Sequence, residues 1–121
     1  MIKLTFALVR RHDFTREAFQ AYWLQCHAPL VASLREVLRI RRYVQLHSDA
    51  PAASEALRRS RGGPEQFDGV AELWWESFDD VAATARDPAA LNAGRLLLED
   101  ERRFIDLDKS PLWWGAEKVI F

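Results

Sequence analysis

The chain has 121 residues, nearly half of them hydrophobic, with 17 basic against 18 acidic side chains and a formal net charge of −1. That length makes one ordinary domain, residues 1–121, able to bury a core without metal or disulfide support, and the charge balance excludes the basic field of a nucleic-acid binder. The lone cysteine, Cys26, excludes an internal disulfide, and no apolar run approaches the roughly 20 residues that cross a bilayer. No leader-like segment opens the chain, so the expected location is the cytoplasm.

Met1–Val9 reads as a strand, with Ile2, Leu4, Phe6 and Leu8 on one side and Lys3, Thr5, Ala7 and Val9 on the other. His12 falls in the connection that follows. Thr15 is an N-cap candidate for a helix in which Phe19, Tyr22, Trp23 and Cys26 share one face. On that face Cys26 reads as a small buried hydrophobe. Pro29 disfavours helical backbone at Ala28, so a break is expected near His27, with a further helical piece over Leu30–Leu38. Arg39–His47 reads as a second strand, carrying Tyr43, Gln45 and His47 on one face. Ser48–Phe67 reads as a long loop with a short helix near Ala52–Arg59, and its arginines, like those of Arg39–Arg42, read as solvated surface. Gly69–Ser77 reads as a third strand with apolar groups on both faces, which implies cover on both sides. A helix from Phe78 to Arg86 breaks at Asp87-Pro88 and resumes to Phe104. Ile105–Ala116 reads as a connection, and Glu117–Phe121 as a short closing strand.

The order β-α-β-β-α-β is the split βαβ, ferredoxin-like arrangement of the α+β class: a four-stranded antiparallel sheet with helices on one face. The other face is left bare. Because strands one and three are not strongly polar on either side, the economical cover is a second copy of the sheet, so a homodimer is expected.

Four segments, in order, resemble the EthD-domain family. FQAYWLQCHAPLV (Phe19–Val31) looks like the family's F-x-x-Y-W-x-x-x-H-A-P-L-V segment, and Tyr43–His47 like its Y-V-Q-N-H strand, with Leu46 where Asn is commoner. Phe67–Trp74 looks like its Y-D-G-V-A-E-L-W strand, and Glu99–Asp106 like its D-E-x-x-F-I-D helix end. The resemblance implies a dimeric α/β barrel whose relatives include polyketide cyclases, muconolactone isomerases and cofactor-free quinone-forming monooxygenases. It implies a pocket between sheet and helices for a small hydrophobic or aromatic ligand, with no metal and no organic cofactor.

On this reading His27, His47 and Asp68 are the candidate catalytic residues, a histidine serving as base and the aspartate orienting it. Tyr43, Gln45, Glu72, Trp23 and Trp74 are the candidate substrate-binding residues. Each has a plainer alternative: His27 a helix-end cap, His47 a solvated edge residue, Tyr43 a sheet aromatic, the tryptophans core, Asp68-Gly69 a turn, and Glu72 either an acid of raised pKa or the partner of a basic side chain. Two histidines with Asp68 or Glu72 would make a metal triad only if they converged, and no HxH or HExxH motif is present. The expected function is cofactor-independent acid/base chemistry (cyclase, isomerase or dehydratase) or oxygenation on an enolisable or aromatic ligand. The alternative is a non-catalytic metabolite-binding or accessory protein of an oxygenase system.

Overall fold

Strict alternation over the first residues produces β1 (Ile2–Leu8) in the computed structural model, which describes residues 1–121. β1 pairs antiparallel on one side with β3 (Gly69–Trp75) and on the other with β4 (Leu112–Ala116), and β2 (Arg42–His47) pairs antiparallel with β3. The strand order is β2-β3-β1-β4, the ferredoxin-like order of an α+β fold. Directly opposed residues share a face. Leu4 and Leu73, Phe6 and Ala71, and Tyr43 and Leu73 therefore point together toward the helices. Lys3, Trp74 and Arg42 line up on the opposite face, as do Thr5, Glu72 and Val44.

The helices lie on the first face. α1 (Arg16–Tyr22) starts at Thr15, whose Oγ1 accepts the Ala18 N–H at 3.1 Å, as its N-cap spacing predicts. It runs through a π-helical turn, Trp23–His27, into α2 (Ala28–Leu34). α3 (Pro51–Arg61) buries none of its residues. α4 (Phe78–Thr84) leads to α5 (Pro88–Phe104), where Pro88 occupies the first turn and Asp87 caps by accepting the Ala89 N–H. Phe19, Trp23 and Phe104 pack on Leu8 and Ala71 in one core cluster, while Val31 and Ile40 pack on Trp75 in a second.

Two elements differ from the sequence expectation. The closing strand is Leu112–Ala116, not Glu117–Phe121. Its alternation was masked by the Trp113-Trp114 pair, which puts one ring on each side of the sheet. The Pro29 break is absent, because the π-turn carries the helix through it.

Gly69 opens β3 under the Trp23 indole. A Cβ there would fall 2.8 Å from the Leu46 carbonyl oxygen and closer still to the indole ring. Gly69→Ala is expected to lower stability by about 1–3 kcal/mol by displacing Trp23, read as a lower urea midpoint with an unchanged slope; an unchanged midpoint would show that the indole has room to move.

Candidate functional site

The site begins with Pro29. Proline has no N–H, and inside an α-helix its ring collides with the carbonyl four residues back. The chain widens to the π-turn instead, and the Ala28 N–H donates to the Trp23 carbonyl. Such turns recur at functional sites. The extra residue shifts the helical phase by one position. His27, only 6 % exposed, takes the inward place that an α-helix would give Cys26, and Cys26 is exposed rather than buried as expected.

His27 Nδ1 lies 2.7 Å from Asp100 Oδ2. A carboxylate only accepts, so Nδ1 carries the proton and Nε2 keeps its lone pair. Tyr22 donates to the other Asp100 oxygen at 2.5 Å, and Arg103 Nη1 stands 3.7 Å from it. Burial lowers the pKa of His27 more than the hydrogen bond and charge of Asp100 raise it, so the ring is neutral at pH 7.

His27 lines a cavity of about 190 Å³ between sheet and helices. Leu4, Phe6, Leu8, Ala71, Leu73 and Trp75 form its floor; Trp23, Val31, Leu97 and Ile105 form its roof. Gly94 and Leu112 are lining residues exposed to solvent, which puts the opening between α5 and β4. The titratable side chains in the lining are His27, Tyr43 and Glu101. Burial pushes the Tyr43 phenol up to about 12. Glu101 is pushed up to about 7 by burial first and by the Asp100 charge second. A larger open groove of about 720 Å³ runs beneath α3, but two of its three arginines are paired with acids, Arg58 with Glu55 and Arg16 with Asp68, and the third, Arg61, donates to Ser60 Oγ.

Gln45 ties the neighbouring strand to the π-turn. Its Nε2 donates to the Trp23 carbonyl at 3.0 Å and to Tyr43 Oη at 2.8 Å, and its Oε1 accepts from His47 Nε2 at 2.7 Å. The His47 ring stacks on Trp23, 4.6 Å between centroids, and burial lowers its pKa. His47 faces a separate open cleft with Leu24, Ala28 and Gln45, sharing only Tyr43 with the cavity.

Of the residues expected at the site, His27, Tyr43 and Trp23 meet at the cavity, while Gln45 and His47 stand behind Tyr43. Asp68 does not orient a histidine. Its carboxylate is taken by Arg10, through the backbone N–H at 2.8 Å and Nη1 at 2.6 Å, and by Arg16 Nε at 3.3 Å. Glu72 and Trp74 lie on the far face of the sheet, away from the cavity, because β3 alternates. There Glu72 pairs with Lys3, and the Trp74 ring sits between Lys3 and Arg42. No group of three His, Cys, Asp or Glu side chains is arranged to hold a metal ion, so the ligand set weighed from the sequence does not form. Asp100 and Glu101 were not among the residues expected at the site. For Glu101 the signal was the stripe Leu97, Glu101, Phe104, which sets an acid on the apolar side of α5; no local pattern marks Asp100.

The chain matches the family model described as the EthD domain over residues 11–108. Among solved structures it is similar to an ethyl tert-butyl ether D (EthD) family protein from Bacillus halodurans, at 19% identity and TM-score 0.62, covering 98% of this chain and 99% of that one. It is similar to an EthD-like protein from Ralstonia eutropha at 19% identity and TM-score 0.59, covering 99% and 94%. A Bacteroides fragilis protein described as dimeric, of unknown function and ferredoxin-like fold, matches at 14% identity and TM-score 0.58, covering 96% and 95%. No curated protein matches. No helix is long and apolar enough to cross a membrane.

Between its ordinary 4.5 and about 7, folded Glu101 holds a proton that the unfolded chain has released. Its contribution to stability therefore falls as pH rises through that window and stays low above it. Glu101→Gln removes the effect. In urea unfolding, the variant's stability relative to the parent is expected to be greater at pH 8 than at pH 5; an equal difference at both would contradict the shift.

Proposed function

The chain belongs to the EthD domain family, and from that premise we propose that it moves protons on a small, enolisable or aromatic ligand held in the cavity, without a cofactor. The observation that carries this reading is a neutral imidazole in an apolar cavity, its Nδ1–H fixed on Asp100. The dyad leaves Nε2 with its lone pair free to act as a base, and water exclusion strengthens every polar contact around it. Asp100 is the orienting carboxylate in this reading, in the place the sequence suggested for Asp68. A cavity of about 190 Å³ exceeds the roughly 150 Å³ that holds benzene in an engineered apolar void, so a one-ring ligand fits.

The far face of the sheet supports a homodimer. Its charges are of both signs, Lys3 and Arg42 with Glu72 and Glu117, around Trp74. Such a face is self-complementary, as a two-fold interface requires. Leu46, 58% exposed, and Trp113, 49% exposed, add apolar area on the same side. The dimeric description of the Bacteroides fragilis neighbour agrees with this.

Acetophenone in D₂O tests the chemistry, with methyl deuteration followed by NMR. The parent is expected to catalyse exchange, and His27→Ala to slow it by about 10²–10⁴. Asp100→Asn is expected to do comparable damage, because a carboxamide can hold the wrong tautomer. Binding without exchange would leave a metabolite-binding protein instead of an enzyme. In sedimentation the parent is expected at twice the chain mass, and Leu46→Glu, an exposed change that leaves the core untouched, at the chain mass; a monomeric parent would sink the interface.

A further inference from the structure

Glu101 is a carboxyl set in an apolar stripe. Gly94, Leu97 and Glu101 fall at i, i+3 and i+7 on α5, and with Ile105, the extended residue just past its end, they line the cavity. No protein hydrogen bond contributes to holding its carboxyl; burial and the Asp100 charge are the influences on it. Asp100, the next residue, holds His27, so the two cavity-lining groups are tied to neighbouring positions of one helix. Glu101 is half-buried, so its carboxyl lies open to the cavity without a protein partner instead of being sealed in the core.

We infer that Glu101 is the ligand's polar anchor, its carboxyl lining the cavity where it can donate to a carbonyl oxygen, and that the site selects uncharged, one-ring-sized carbonyl compounds over anions. This rests on the proton-transfer reading above and names its substrate class. The lining supports it from every element around the group. β1, β3 and β4 contribute Leu4, Phe6, Leu8, Ala71, Leu73, Trp75 and Leu112, none of them titratable. β2 contributes Tyr43, a donor that stays neutral; the π-turn contributes His27, neutral at pH 7; α5 contributes Asp100 beside Glu101, with Arg103 outside on Asp100. No cation lines the cavity, so a carboxylate ligand would enter without a counter-ion.

The two groups then divide one enolisation. The ligand's α C–H bond breaks toward His27 Nε2, and its electron pair becomes the enol C=C bond. The former carbonyl π pair moves to oxygen, which takes the Glu101 proton. Neutral imidazole, ketone and carboxylic acid become imidazolium, enol and carboxylate, with atoms and total charge conserved.

Three probes of similar size test this by titration calorimetry: acetophenone, its apolar analogue ethylbenzene, and benzoate. At pH 6 the parent is expected to bind acetophenone about tenfold more tightly than ethylbenzene, and benzoate more weakly than acetophenone. At pH 9 that preference should collapse. Glu101→Leu should lose the preference while keeping ethylbenzene binding, which reports an intact cavity. Glu101→Gln, a permanent neutral donor, should keep it at both pH values. A preference that survives Glu101→Leu, or benzoate bound as tightly as acetophenone, overturns the anchor. Loss of exchange activity in the parent with the Glu101-dependent preference intact would defeat the proton-transfer reading alone. Failure of all three probes to bind would overturn both.

Discussion

The carbonyl of Trp23 accepts two hydrogen bonds, one from the Ala28 N–H across the π-turn and one from Gln45 Nε2 on β2. A helical carbonyl with two lone pairs can do this only where the helix is locally widened or its wall is open to a neighbour. The pair of bonds couples the helix to the sheet at one point. The Trp23 indole, lying on Gly69 and stacked on His47, fixes the same point through packing. One turn further on, His27 is delivered to Asp100 on α5. The position of His27 therefore depends on a defect in the helix that Pro29 makes necessary.

Inside the cavity three polar groups are held in different states by one cause. Desolvation disfavours charge, so it lowers the pKa of a histidine and raises those of a carboxyl and a phenol. His27, Glu101 and Tyr43 move in those respective directions, and burial is the leading influence on each. Asp100 works against burial at His27 and with it at Glu101. The same carboxylate thus makes the base a better base and the acid a weaker one. Two titratable groups in one cavity lining, each driven toward neutrality by its environment, are suited to giving and taking protons there.

Much of this was legible in the sequence because it rests on short-range rules. Period-two alternation marked β1 and β3, Thr15 and Asp87-Pro88 marked helix starts, and the order of elements gave the ferredoxin-like sheet. What escaped was phase. With a constant 3.6-residue period, Cys26 belongs to the apolar face and His27 to its margin; one inserted residue reverses them. Asp68 escaped for another reason. Lying beside Gly69 near His47 in sequence, it invited a pairing with histidine, but its partners come from residues 10 and 16, a distant segment that no local pattern reveals. Asp100 reaches His27 across 73 positions, and only the packing of α5 against the π-turn brings them together.

β3 serves both faces of the molecule through a single alternation. Ala71, Leu73 and Trp75 floor the cavity, while Glu72 and Trp74 join the charged array on the far side. A slip of one residue would exchange the two sets, putting Glu72 under the helices and Leu73 among the charges. Both ends of the strand are pinned against that slip. At the start, only a glycine fits beneath Trp23. At the end, the Trp75 indole N–H donates to the Leu38 carbonyl at 2.7 Å, a bond available only from the helix side. The residues that hold the strand in register are thus the residues that border the cavity, so cavity and charged far face are kept apart by the same contacts that shape the cavity.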